Sequence, residues 1–208
     1  MQASSTDARS PHAVPLEVVH YPHPTLRHVS KPLVKVDRQL RDWAAEMIEL
    51  MYEHEGIGLA ANQVDLPYRL FVINETGDPD QPEHERVFLN PVLSKGKSPT
   101  SMSEGCLSLP DIRGPMMRPA TVRVQAYDLA GNEIDETVDG MLGRVIQHET
   151  DHLDGILFTD KMSPTERAEI DGLLYELERD WQSRQETGDA PSDEAIAERI
   201  AELEAVRC

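Results

Sequence analysis

The segment His148-Glu149-Thr150-Asp151-His152 constrains this chain more than any other. Read as helix, it sets two imidazoles four positions apart, on one face and about one turn from each other. Imidazoles so placed can grip one divalent metal, with Glu149 beside them to handle the proton of a water. The H-E-x-x-H pattern marks metal-assisted hydrolysis, so a helix is required here. The source of the third ligand decides which hydrolase it is.

A catalytic divalent site commonly has three protein ligands and one water. The longer pattern H-E-x-x-H-x-x-G-x-x-H is matched as far as Gly155, but its last position is Phe158, which cannot bind metal. A downstream carboxylate could be sought among Glu166, Glu169, Glu176 and Glu178. That stretch is so rich in acidic residues that a solvated helix face explains it better. Cys106, in Glu104-Gly105-Cys106-Leu107-Ser108, is the stronger candidate, because Gly105 gives the backbone freedom to approach a metal. Alone, Cys106 reads more readily as a small buried apolar residue.

With 208 residues and 39% hydrophobic content, the chain has enough apolar material for one domain with a core. Residues 1–14 are polar, lack the apolar centre of a secretory signal and read as a flexible N-terminal arm. No apolar run reaches the roughly 18 residues that suggest a membrane helix, and a cytoplasmic protein is expected. The net charge of −18 argues against a general nucleic-acid binder. The second cysteine, Cys208, is the last residue, and a reducing compartment disfavours pairing it with Cys106.

Asp37 opens a helix with Leu40, Trp43, Met47, Leu50 and Met51 on one stripe, ending near Gly56. Residues 56–63 read as a loop entering extended chain. Strands are expected over 68–74, 86–93, 121–128 and 133–138, the last two as a hairpin through Ala130-Gly131-Asn132. Gly140 to Asp154 is the histidine helix, stopped by Gly155. Ser163-Pro164-Thr165-Glu166 caps a further helix running to about Arg184, and residues 193–206 form a last one. This order gives an α+β fold. The expected architecture is mixed or antiparallel β-sheets packed around the central H-E-x-x-H helix, with a C-terminal helix. The catalytic domain is expected over 15–185, followed by an acidic, helical extension over 186–208.

Three stretches together resemble the peptide deformylase family. Gly56-Ile57-Gly58-Leu59-Ala60-Ala61-Asn62-Gln63 matches its G-x-G-x-A-A-x-Q motif, residues 104–108 match E-G-C-L-S, and residues 147–152 match Q-H-E-x-D-H. They occur in the family's order and separations, within a resemblance spanning roughly 16–162 that includes Arg113 and Arg118. The resemblance implies Cys106, His148 and His152 as metal ligands and Fe(II), one per chain, as the physiological metal. Zn(II), Ni(II) or Co(II) are substitutes that the donor chemistry also suits. It implies Glu149 as general base and acid toward a metal-bound water, with Gln63 and the Leu107 N–H as oxyanion donors. The implied substrate is an N-formylmethionyl peptide, a nascent chain at the ribosome, with formate as product.

Ile57, Met102, Met141 and Val145 are candidates for the methionine slot and equally for plain core. Gly58 and Glu104 are counted with the substrate-binding residues, and Arg113 is a candidate contact to the peptide backbone. The other histidines (His12, His20, His23, His28, His54 and His84) lack ligand spacing and are expected at the surface. Two departures from the family stand out. Gly143 lies inside the metal helix, where alanine is usual and glycine costs up to about 1 kcal/mol unless close packing requires it. Residues 163–208 hold 13 acidic and 5 basic side chains, net −8, which opposes electrostatic docking on RNA. That tail is open to folding back or to self-association, and the oligomeric state is left open. An H-E-x-x-H endopeptidase and a non-catalytic metal- or peptide-binding relative are the competing readings.

Overall fold

A computed structural model describes residues 15–208; the expected N-terminal arm lies outside them. Helix α1 (Arg38–Glu53) starts where Asp37 accepts a hydrogen bond from the Leu40 N–H at 2.9 Å. It buries Leu40, Trp43, Ala44, Met47 and Met51 on the expected stripe. The loop after it holds a short strand β1 (Gly58–Ala60) and then a 3-10 turn, Ala61–Val64.

Strand β2 (Leu70–Ile73) pairs antiparallel with β1 and with β3 (Arg86–Cys106). Its four residues are all buried, because alternate side chains enter two cores. Leu70 and Val72 pack with α1, while Phe71 and Ile73 pack with the histidine helix. β3 pairs with β4 (Leu109–Tyr127), which pairs with β5 (Glu133–Asp139). All neighbours in this five-stranded sheet, ordered β1-β2-β3-β4-β5, are antiparallel.

The expected strands at 86–93 and 121–128 extend into one long hairpin. Register shifts near residues 89–92, 94–97 and 105–106 break simple alternation. From Ile112 to Arg118 the buried positions are Ile112, Gly114, Met116 and Arg118, a set that no hydrophobic pattern reveals. Tertiary pairing makes these residues strand.

Helix α2 (Gly140–Leu153) carries the histidines and packs on β1, β2, β4 and β5. A Cβ at Gly143 would lie 3.2 Å from the Val138 carbonyl oxygen, so close packing against the end of β5 accounts for glycine there. Helix α3 (Pro164–Thr187) begins with the Ser163–Glu166 capping box and stops at left-handed Gly188.

Helix α4 (Asp193–Arg207) folds back onto the domain, burying Ile196 and Ile200. Arg207 is buried with its guanidinium 4.8 Å from the Trp43 ring centre, and it donates to Tyr68 Oη at 2.9 Å and Gln39 Oε1 at 2.8 Å. Tyr68 Oη in turn donates to the Leu203 carbonyl, and Glu204 pairs with His28 and Lys31. No helix among the described residues is long and apolar enough to cross a membrane. Both cysteines are free.

Candidate metal centre and active site

One side of α2 and the end of β3 form the floor of a cavity of about 740 Å³. There Cys106 Sγ and ring nitrogens of His148 and His152 lie within 4.8 Å of one another. Cys106 Sγ stands 3.2 Å from His152 Nε2. The irregularity at Gly105/Cys106, where β3 turns into β4, presents the thiol to the helix. One soft thiolate and two imidazoles suit a transition-metal dication, so the donor set fits the expected group. Glu166, Glu169, Glu176 and Glu178 do not join this group.

Glu104 orients the histidine. His148 Nδ1 donates to Glu104 Oε2 at 3.0 Å, which turns Nε2 toward the cluster. The same carboxylate accepts from Arg118 at 2.7 and 2.9 Å and from Arg144 at 2.7 Å, and Arg118 also holds Asp151 at 2.7 Å. Burial alone would raise the Glu104 pKa; His148 and Arg118 outweigh it and hold the carboxyl well below the usual range. Glu104 lines the cavity with both its oxygens engaged with protein groups. For His148, burial works against the charge, while bonds to Cys106 and Glu104 lift its pKa to about 10. Burial, reinforced by the charge of His148, drives His152 well below its ordinary value. A metal bound there would have to displace the His148 proton.

Glu149 is buried, and its Oε2 has no hydrogen-bond partner. Burial pushes its carboxyl up to about 7. Gly58 permits the close approach: a Cβ there would lie 2.5 Å from Glu149 Oε1 and 2.6 Å from Val145 Cγ1. Gln63, on the 3-10 turn, is locked at one end because its Oε1 accepts from the Ala60 N–H at 2.9 Å. Its Nε2 is thereby aimed at Cys106 Sγ and Ser108 Oγ, each 3.3 Å away. Leu107, Ile57, Met102, Arg113, Met141 and Val145 also line the cavity. Arg113 lies across Gly105, with its guanidinium carbon 3.3 Å from where a Cβ would be.

The roles of Arg144, Asp151 and Ser108 were not foreseen from the sequence. Arg144 and Asp151 were findable, since they sit four before and three after His148, on its helix face. Ser108 gave no such signal. His23 corrects an expectation: it is buried, because its Nδ1 caps the 3-10 turn Pro24–Arg27 and its ring packs 5.1 Å from Trp181. His28 is half-buried against Glu204, and His12 lies outside the described residues.

An H-E-x-x-H helix on an antiparallel sheet, with a cysteine joining its two histidines, defines an α+β protein with a candidate metal-hydrolase site. The polypeptide deformylase family model matches residues 15–168. A peptide deformylase of Rhodopirellula baltica is 49% identical over 193 residues, covering 93% of this chain and 96% of that protein. One of Neisseria gonorrhoeae is 41% identical, covering 79% and 96%. Among solved structures, a plant peptide deformylase superposes with a TM-score of 0.80 at 35% identity, over 89% of this chain and 99% of its own. That of Plasmodium falciparum gives 0.78 at 37%, over 80% and 98%. The chain belongs to the polypeptide deformylase family and is an enzyme of that class.

Proposed function

We propose that this enzyme removes the formyl group from N-formylmethionine at the start of nascent polypeptides, releasing formate. One observation carries the reading: the buried, unpartnered Glu149 carboxylate beside the Cys106, His148 and His152 cluster, at the floor of an open cavity. A metal held by those three residues would supply a Lewis acid and an acidified water at neutral pH. Fe(II), one per chain, is the assignment the resemblance supports, with Zn(II), Ni(II) or Co(II) as substitutes for the same donors.

The chain's own residues do the rest. Glu149 takes the proton of the attacking water on its carboxylate and returns it to the departing amine as the formyl C–N bond breaks. Burial raises this carboxyl above the ordinary glutamate value in the metal-free protein, the direction that suits a group that takes a proton and gives it back. The Gln63 side-chain amide, preset by Ala60, and the Leu107 N–H donate to the oxyanion. Ile57, Met102, Met141 and Val145 wall the methionine slot, Gly58 keeps it open, and Arg113 holds the peptide backbone. Glu104 serves the substrate only through His148. A broad peptide cleft and a carboxylate third ligand would have supported the competing endopeptidase reading; the candidate group offers the Cys106 thiol.

The reaction belongs in the cytoplasm, on chains emerging from the ribosome. With a net charge of −8 over residues 163–208, the tail is a poor partner for RNA. The test is formate release from an N-formylmethionyl peptide by anaerobically prepared, Fe(II)-loaded protein, with the N-acetyl peptide as control. Formate from the formyl peptide alone supports the assignment; no formate from protein carrying its metal overturns it.

A further inference from the structure

Gln63 is held through its main chain as well as its side chain, and that hold runs out to helix α4. Asn62, the residue before it, is fully buried. Its amide nitrogen donates to the Thr25 carbonyl at 3.1 Å and the His28 carbonyl at 2.8 Å, and its oxygen accepts from Ser30 Oγ at 2.8 Å. The Gln63 carbonyl accepts from the Val19 N–H at 2.8 Å. Residues 19–30 are thus the bed on which the turn Ala61–Val64 lies.

Asp65 closes the turn in a left-handed conformation, φ 56° and ψ 34°, with its N–H returned to the Ala61 carbonyl. Few L residues adopt that region, and Asp and Asn are among those that do. The carboxylate is bonded through both oxygens: Oδ1 accepts from the buried Thr25 hydroxyl, and Oδ2 from Arg199 of α4 at 2.6 Å. Only 17% of the Asp65 side chain is exposed. Farther along α4, Glu204 grips the same bed through His28 and Lys31. A partly exposed ion pair adds little to global stability. Its consequence here is geometric, because Asp65 sits two residues from Gln63.

We infer that Arg199 is a positioning residue: by fixing Asp65, and with it the close of the turn, it sets where the Gln63 amide meets the oxyanion. The acidic tail thereby serves the reaction from outside the cavity. The inference rests on the deformylase reading and on Gln63 as an oxyanion donor. A donor shifted from its place loses transition-state stabilisation and little substrate binding, so kcat falls while KM hardly moves.

The experiment measures kcat and KM for an N-formylmethionyl tripeptide on the metal-loaded full chain, with metal content and Tm determined for every variant. Arg199→Ala is expected to lower kcat about three- to tenfold and to leave KM within about twofold. Arg199→Lys, which restores a charged donor, should recover most of the loss. Asp65→Asn keeps a side chain suited to the left-handed turn and makes the same comparison from the other partner. In a Gln63→Ala background, Arg199→Ala should lower kcat no further, because the donor it positions is gone. Arg207→Ala, two turns along the same helix, should lower Tm with kcat unchanged, which separates positioning from stability. Wild-type kcat in Arg199→Ala at equal metal content overturns the inference, and so does a full further loss in the Gln63→Ala background. No formate from the wild type overturns the deformylase reading and this inference with it; an active wild type with unmoved variants overturns this inference alone.

Discussion

The α-carbon of Gly58 stands so close to Glu149 that a Cβ on it would lie 2.5 Å from Oε1, inside van der Waals contact. Strand β1 and helix α2 thus fix the proposed base between them. Gly58→Ala must move the carboxylate or the strand. It should lower kcat at least tenfold and cost about 1–3 kcal/mol of stability, read from formate kinetics and thermal melts. A variant with wild-type kcat would show that the approach is not required for turnover.

Glu104 supports two buried arginines and His148, so Glu104→Gln leaves positive charge uncompensated. A loss of about 3–5 kcal/mol is expected, with metal affinity down about 10- to 100-fold in chelator competition. The pH dependence has a definite sign. The folded-state pKa is depressed, so the stabilisation is fully present above the ordinary value near 4.5 and is lost as pH falls toward the folded value. Acid melts of wild type and variant should therefore converge.

Glu149 carries the opposite sign. In metal-free protein its folded pKa is raised from 4.5 to about 7, so the unfolded chain releases the proton first as pH rises. Stability falls across that window, by roughly 3 kcal/mol in full. Glu149→Gln should raise the Tm of the metal-free protein at pH 8 and have a much smaller effect near pH 4.5. An equal effect at both pH values would contradict the buried, ionisable carboxyl.

Arg207 anchors the tail by stacking on Trp43 and bonding Tyr68 and Gln39. Arg207→Ala should cost about 2–3 kcal/mol, or roughly 5–10 °C in Tm, while kcat holds. Calorimetry and formate assays on one preparation separate the two effects.

The H-E-x-x-H helix was legible because its chemistry and its helical period coincide, α1 because of its cap and apolar stripe, α3 because of its capping box, and α4 because the break at Gly188 to Pro191 sets it off. The outer hairpin was not. Bulges shift its register, and Arg118, a strand residue at a core position, is buried only because Glu104 and Asp151 meet it. The ligand cluster could be assembled from motif order, but Glu104's service to His148 depends on two segments meeting in space. His23 misled for a similar reason: its burial comes from Trp181, far along the chain.

Glu149 is the proposed carrier of the proton in formyl hydrolysis. The most direct measurement is formate release by metal-loaded wild type and Glu149→Gln, with metal content determined in both. Equal metal and a rate about 10²- to 10⁴-fold lower in the variant are expected. A variant that holds its metal and stays within tenfold of wild type would contradict it.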